Sequence, residues 1–306
     1  MLRFAAPALA AFLALPAYAE PPRVVIDIAP IHALAAQVMA GVGTPALLLA
    51  QDANPHSVQL KPSQARLLTD ADLVIWVGPA LSPWLEKTIA GLGATESLAL
   101  MEHPASTLRD FTPSVGMVAD EHDHDAERDG HTHSGKDPHL WLSVDNARAW
   151  LGLFADTFAA HDPANAATYR ANAARARADI DALTARIEAT LAPVAGAEII
   201  TFHDSFGYFA DRFPIAIAAS VRPGDATSPS ASALVALEEL IANHDIACAF
   251  AEPAFDPGLL EAITAETGLR IGTLDPTGAL LPPGPDHYAT TLEALAEGIA
   301  ACIQAK

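Results

Sequence analysis

The sequence predicts an α/β protein of two lobes with mostly parallel sheets, joined by one long rigid helix. Short apolar, β-branched runs alternate with helical patterns in each half of the chain, the arrangement that gives parallel sheets covered by helices. In the first half VVIDIA (24–29), ALLLA (46–50) and LVIWVG (73–78) read as strands, with helices near 31–41, 62–70 and 82–91. In the second half EIITF (198–202), PIAIAA (214–219), IACAFA (246–251) and LRIGTL (269–274) repeat the scheme, with helices near 205–212, 230–243, 257–267 and 286–304.

The segment from Asp162 to Val194 is Ala-rich, contains no glycine and sets Ile180, Leu183, Ile187 and Leu191 on one helical face. Asp162 suits an N-cap, Pro163 the first helical turn and Pro193 a stop. A helix of roughly 30 residues spans on the order of 45 Å, more than one lobe needs, so it reads as a rod between two lobes. A coiled-coil arm is disfavoured because the apolar stripe is short and lacks sustained heptads. The expected division is an N-terminal lobe over 20–161, the linking helix over 162–194 and a C-terminal lobe over 195–306.

Residues 1–19, MLRFAAPALAAFLALPAYA, have one early arginine and an apolar stretch ending in a small-x-small triplet. This is the layout of a cleaved secretory signal peptide, so the mature chain should begin near Glu20 in an extracytoplasmic compartment. No cysteine stands at the cleavage point to take a lipid, and no later stretch is apolar for the ~20 residues a membrane helix needs. The formal charge of −20 argues against nucleic acid and against an anionic membrane surface as partners. Cys248 and Cys302 are the only cysteines. In an oxidising compartment they are expected to pair as a structural disulfide, closing a loop worth about 4 kcal/mol. A thiolate metal site fits less well, because Cys248 sits inside the apolar run IACAFA.

Signatures of catalysis are missing: the chain has no nucleotide-binding loop, no Gly-x-Ser-x-Gly elbow and no His-Glu-x-x-His. Single histidines instead stand at strand ends and turns. His56 follows the strand at 46–50, His139 lies in DPHLWL, His203 ends the strand of IITFH, and Asp275 ends the last strand before Pro-Thr-Gly. Ligand sites in open α/β sheets lie beyond the carboxyl ends of strands, so four donors delivered from two lobes would converge in the cleft between them. Three imidazoles and one carboxylate suit tetrahedral zinc, and nitrogen donors favour zinc over the harder manganese.

The series NPHSVQLKPSQ, DPHLWLS, FHDSFGYF, FAEPAF and TLDPTG resembles the motif series of the cluster A-I metal-binding proteins that serve ABC-type zinc and manganese importers. The resemblance covers essentially the whole chain after the signal. It implies two pseudo-symmetric α/β lobes, a rigid linking helix and one metal ion in the cleft, held by His56, His139 and His203 with Asp275 as the carboxylate. Manganese members generally carry Glu where this chain has His203, which points to Zn²⁺. Some zinc members carry Glu just before the first ligand, where this chain has Pro55, so Asp275 or a water is left as the fourth donor. Cys248 and Cys302 match a cysteine pair of zinc members. Ligating histidines usually donate their other N–H to a carboxylate or carbonyl, for which Glu252 and Asp204 are candidates. The function implied is that of a monomeric periplasmic zinc-binding protein, not an enzyme, that hands Zn²⁺ to an ABC permease in the inner membrane. A periplasmic zinc chaperone is a further candidate partner. The rival readings are a manganese or iron(II) protein of the same importers and, in another class, a secreted zinc hydrolase. Against the hydrolase, Asp275 would close the open position and no separate general base stands out.

The run DEHDHDAERDGHTHSGKDPHLW (120–141) mixes five histidines with seven acidic residues. Its part over 120–136 cannot form a core and reads as a mobile loop, in which His122, His124, His131 and His133 form an auxiliary zinc trap. That trap should be weaker than the cleft, since ordering the loop costs conformational entropy. Asp137-Pro138-His139 belongs to the cleft itself. His32, His103, His161, His244 and His287 lack a convergent context and read as structural or surface residues.

Overall fold

The computed structural model describes residues 20–50, 53–92, 95–111, 135–224, 227–265 and 267–305. The expected signal peptide, residues 1–19, and His122, His124, His131 and His133 lie outside them. Two four-stranded, all-parallel sheets organise the chain. The first comprises β1 (Val24–Ile26), β2 (Ala46–Leu47), β3 (Leu73–Trp76) and β4 (Glu96–Ala99) in the order β2-β1-β3-β4. The second comprises β5 (Glu198–His203), β6 (Ala216–Arg222), β7 (Ile246–Ala251) and β8 (Ile271–Thr273) in the order β6-β5-β7-β8. The permutation of strands is the same in both halves, which is the pseudo-symmetry the motif series implies.

Parallel strands need crossovers, and helices supply them. In the first half these are α1 (Ala29–Met39), α2 (Pro62–Asp70) and α3 (Pro83–Leu92); in the second they are α6 (Gly207–Arg212), α7 (Ala231–Asn243) and α8 (Gly258–Thr264). The C-terminal α9 (His287–Gln304) follows β8. Sequence-predicted strands and helices are recovered in both halves, with β6 placed two residues later than the run 214–219. Two elements lie outside the predicted pattern. β4 is a partly exposed edge strand, and α4 (Val144–His161) starts at Ser143, whose side chain accepts from the Asn146 N–H.

The linking segment folds as α5 (Ala166–Leu191), flanked by 3-10 turns over Pro163–Asn165 and Ala192–Val194. It buries Tyr169, Ala173, Ala176, Ile180, Leu183, Ile187 and Leu191, the face that the sequence pattern marks. Asp162 does not cap the helix backbone as expected. Its carboxylate is fully buried and accepts instead from the Asn165 amide at 2.7 Å and the Tyr169 hydroxyl at 3.0 Å. α5 packs along α4, α1 and α9, and α9 also packs on α1. The C-terminal helix therefore closes over the first half of the chain, and one hydrophobic core runs from the first sheet through these helices to Ile199, Cys248 and Phe250 of the second. A second core under α7 and α8 uses the opposite face of that sheet, through Ile200, Phe202, Ala249 and Ala251. Cys248 of β7 and Cys302 of α9 are disulfide-bonded, fastening α9 to the second sheet.

Candidate metal site

His56, His139 and His203 meet at one cavity beyond the carboxyl ends of the strands, with one ring nitrogen from each lying within 4.8 Å of the others. His203 is the last residue of β5, as predicted. His139 precedes a 3-10 turn over Leu140–Leu142 whose three residues are fully buried, so the turn is anchored in the core and the ring projects from a fixed base. His56 sits in a tight turn: Asn54 Oδ1 accepts its backbone N–H at 3.0 Å. The preceding Pro55 carbonyl is held by Ser82 Oγ at 3.1 Å and Trp84 Nε1 at 2.9 Å, at the start of α3.

The two buried rings are supported alike. Asp137 Oδ1 accepts from the His139 backbone N–H at 2.9 Å and from His139 Nδ1–H at 2.8 Å. Glu252 Oε1, just past β7, accepts from the His203 backbone N–H at 3.1 Å and from His203 Nδ1–H at 2.6 Å. A carboxylate is acceptor-only, so each fixes its ring as the Nδ1–H tautomer and leaves Nε2 with a bare lone pair. These two Nε2 atoms face each other at 3.3 Å. Two opposed lone pairs repel unless a cation lies against both. Two nitrogens bound to one tetrahedral zinc at about 2.0–2.1 Å would stand roughly 3.3 Å apart, so the spacing fits that ion.

The electrostatics agree with this assignment. Burial, reinforced by the neighbouring His203, holds His139 well below its ordinary 6.5, which keeps the ring neutral near pH 7 and ready to ligate. Burial pushes Asp137 up to about 6, against the opposing pull of the His139 N–H and Arg109. Each buried imidazole also rests against an aromatic ring, His139 against Trp141 at 5.3 Å and His203 against Phe255 at 5.4 Å. Much of the remaining cavity wall is apolar, including Pro253, Ala254 and Leu280, with the Asp275 carboxylate as a further oxygen donor on it.

Asp275 lines the same cavity, but its oxygens face its own turn. Oδ1 accepts from the Thr277 N–H at 3.1 Å and its hydroxyl at 3.2 Å, and Oδ2 accepts from the Leu280 N–H at 3.3 Å. The turn is tied to the first half by Trp141 Nε1, which donates to the Pro276 carbonyl at 2.7 Å. Of the two carboxylates considered as partners of the ligating histidines, Glu252 takes the His203 ring N–H, and buried Asp204 follows in the turn to α6. The role of Asp137 is not evident from the sequence alone, although an acid two residues before a histidine, with proline between, is a compact way to bond ring and backbone together. Of the histidines outside the motifs, His32 and His287 are buried against backbone carbonyls, and His161 and His244 lie beside Glu96 and Glu198.

Comparison with known proteins follows the same line. The family described as "Zinc-uptake complex component A periplasmic", ZnuA, matches residues 24–302. A high-affinity zinc uptake system protein ZnuA of Paracoccus denitrificans is 43% identical, with all of both chains covered. Among solved structures, a zinc-bound ZnuA deletion mutant superposes with a TM-score of 0.76 at 25% identity, covering 94% of this chain and 99% of that one. The binding protein FpvC of Pseudomonas aeruginosa, in complex with Mn²⁺, superposes with a TM-score of 0.77 at 20% identity over 93% and 99% of the two chains. That likeness shows the shared fold and leaves the metal to the donor atoms. Since the family pattern spans residues 24–302, and the Paracoccus protein matches the chain end to end, the chain belongs to the ZnuA family of periplasmic zinc-uptake components.

Proposed function

We propose that this protein captures Zn²⁺ outside the cytoplasm through His56, His139 and His203 and delivers it to an ABC-type importer. The observation that carries the reading is the 3.3 Å approach of two Nε2 atoms whose other nitrogens are both committed to buried carboxylates. Zinc is the expected cargo because the converging donors are imidazoles, whereas manganese prefers oxygen. Asp275 or a water completes the tetrahedron; Asp275 would reach the ion by releasing hydrogen bonds of its own turn. Residues 20–161 and 195–306 act as the two lobes, with 162–194 as the rod between them and α9 as a clasp from the second lobe onto the first. The leader 1–19 directs export to the periplasm, where the chain works as a monomer with a permease of the inner membrane and its ATPase. A periplasmic chaperone is a candidate zinc donor. His122, His124, His131 and His133 serve as an auxiliary, weaker trap. Binding rather than catalysis is the role, because both carboxylates that line the cavity are already engaged, Glu252 with the His203 ring and Asp275 with its own turn.

Zinc titration of apo-protein against a competing chelator tests the reading, using wild type, a deletion of 120–134 and His139→Ala. The deletion is expected to keep one tight site and lose only weaker ones, and His139→Ala to lose the tight site. Tight binding that survives in His139→Ala, or tighter Mn²⁺ than Zn²⁺ in competition, would overturn it. Hydrolytic activity lost with His203→Ala would revive the hydrolase.

A further inference from the structure

One side chain outside the ligand set joins the support of His139 to the helix that follows His203. Arg109 Nη1 donates to Asp137 Oδ2 at 3.1 Å, and its Nε donates to Asp211 Oδ2 at 2.9 Å. Its backbone N–H donates to the Tyr208 hydroxyl at 3.1 Å, and that hydroxyl donates to the Asp137 carbonyl at 3.0 Å. The guanidinium also lies 5.8 Å from the centre of the Tyr208 ring. Tyr208 and Asp211 belong to α6, the helix entered directly from His203. Asp137 is the carboxylate that fixes His139. A residue of the first half thus grips the base of one imidazole and the helix behind the other.

The sequence makes room for this contact. A Cβ at Gly207, the first residue of α6, would stand 1.6 Å from Arg109 Nη1, so the guanidinium can lie on the helix start only over a glycine. The two halves of the bridge differ in weight. The Asp211 side chain is 61% exposed, and an ion pair that open to water is worth little. Asp137 is fully buried and Arg109 only 18% exposed. There the second carboxylate oxygen has left water, and losing its donor costs the full desolvation of that oxygen. Without Arg109 the Asp137 carboxylate would be held by Oδ1 alone, through the His139 backbone and ring N–H groups, and would be a less rigid acceptor for the ring.

We propose that Arg109 is a positioning residue for zinc capture: it holds Asp137 against His139 and ties that support to the helix behind His203, so that the two Nε2 atoms keep the spacing of one ion. The proposal rests on the zinc reading above. It is tested on the full chain by zinc affinity, by the visible absorption of bound Co²⁺ as a probe of ligand geometry, and by the melting temperature of the apo-protein. Arg109→Gln is expected to weaken zinc binding about tenfold, as loss of a group behind a metal-bound histidine typically does, and to change the cobalt spectrum. Arg109→Lys should recover part of the affinity, since an ammonium can pair with Asp137 but lacks the fork that reaches Asp211 as well. Should Arg109→Gln fail to fold, Gly207→Ala decides on the same criteria, because its methyl displaces the flexible end of Arg109 rather than backbone. An unchanged zinc affinity and cobalt spectrum would overturn the proposal. So would weaker zinc binding that merely tracks a lower melting temperature while the cobalt spectrum stays the same. Wild type that binds no zinc in the same titration would remove the zinc reading itself, whereas wild-type binding with an unaltered Arg109→Gln removes only the role of Arg109.

Discussion

His139 and His203 each donate Nδ1–H to a buried carboxylate that also accepts the same residue's backbone N–H, yet the two supports are built differently. Asp137 stands two residues before His139, inside one Asp-Pro-His turn. Glu252 lies 49 residues beyond His203, delivered by β7 beside β5. The first support is local and moves with its own loop. The second exists only when β5 and β7 pair in register. The same chemistry therefore depends on turn geometry in one half and on sheet assembly in the other, and each dependence can be disturbed separately.

The largest expected effect falls on the sheet side. β7 carries Cys248 as well as leading to Glu252, and the disulfide to Cys302 closes a loop of 54 residues. Replacing both cysteines with serine is expected to lower stability by about 4 kcal/mol on the loop-entropy estimate, read by chemical denaturation of the apo-protein. If assembly of the second sheet is what supports His203, added zinc should restore part of the lost stability, because binding favours the folded state. Equal denaturation midpoints for the double-serine variant and wild type would show that β7 needs no fastening to α9.

The carboxylates come next. Asp137→Asn and Glu252→Gln each replace the acceptor of a ring N–H and should weaken zinc binding by roughly 10–100-fold. Asp137→Asn is expected to be the more damaging, because it also removes the partner of Arg109, whereas Glu252→Gln disturbs only His203. Competition titration orders the two. Glu252→Gln proving the worse would mean that the sheet-borne support dominates the site and that the Arg109 bridge contributes little.

The same contrast explains what could be read in advance. The strands of both sheets announced themselves as short apolar runs, and the long helix by its alanines and its stripe from Ile180 to Leu191. Edge strand β4, ESLA, buries too little to leave such a run. α4 was hidden beside the His139 motif, although Ser143 and the spacing of Trp150, Leu151, Phe154 and Phe158 carry a cap and an apolar face. His56, His139 and His203 were legible because His56 follows a strand in a turn, His203 ends a strand, and His139 follows a proline at the start of a buried turn. The partners were less so. Glu252 could be named only as one of two candidates, since strand pairing decides which carboxylate reaches a ring 49 residues away. Arg109 and Gly207 gave no local signal at all, because their meaning arises from the crossing of a loop and a helix that are remote in sequence.

The smallest effect is one of pH, and it separates the two supports again. Zinc needs deprotonated imidazole. Burial holds His139 below its ordinary 6.5, so near pH 7 this ring has no proton for zinc to displace, and acid competes only at lower pH. Burial acts on Asp137 in the opposite sense and pushes it up to about 6. As pH falls through that value the carboxyl takes up a proton, no longer serves as a pure acceptor for His139 Nδ1–H, and ceases to fix the tautomer that presents Nε2. Zinc affinity is therefore expected to hold between pH 7.5 and 6.5 as far as His139 is concerned, and to decline as pH drops through about 6. Titrations at pH 7.5, 6.5, 5.5 and 5.0 measure it, and an affinity unchanged at pH 5 would remove the role given to the Asp137 carboxyl. In Asp137→Asn the starting affinity is lower but the carboxyl no longer titrates, so the decline around pH 6 should be shallower than in wild type. A decline of the same steepness would show that the Asp137 carboxyl is not the group whose protonation weakens the site.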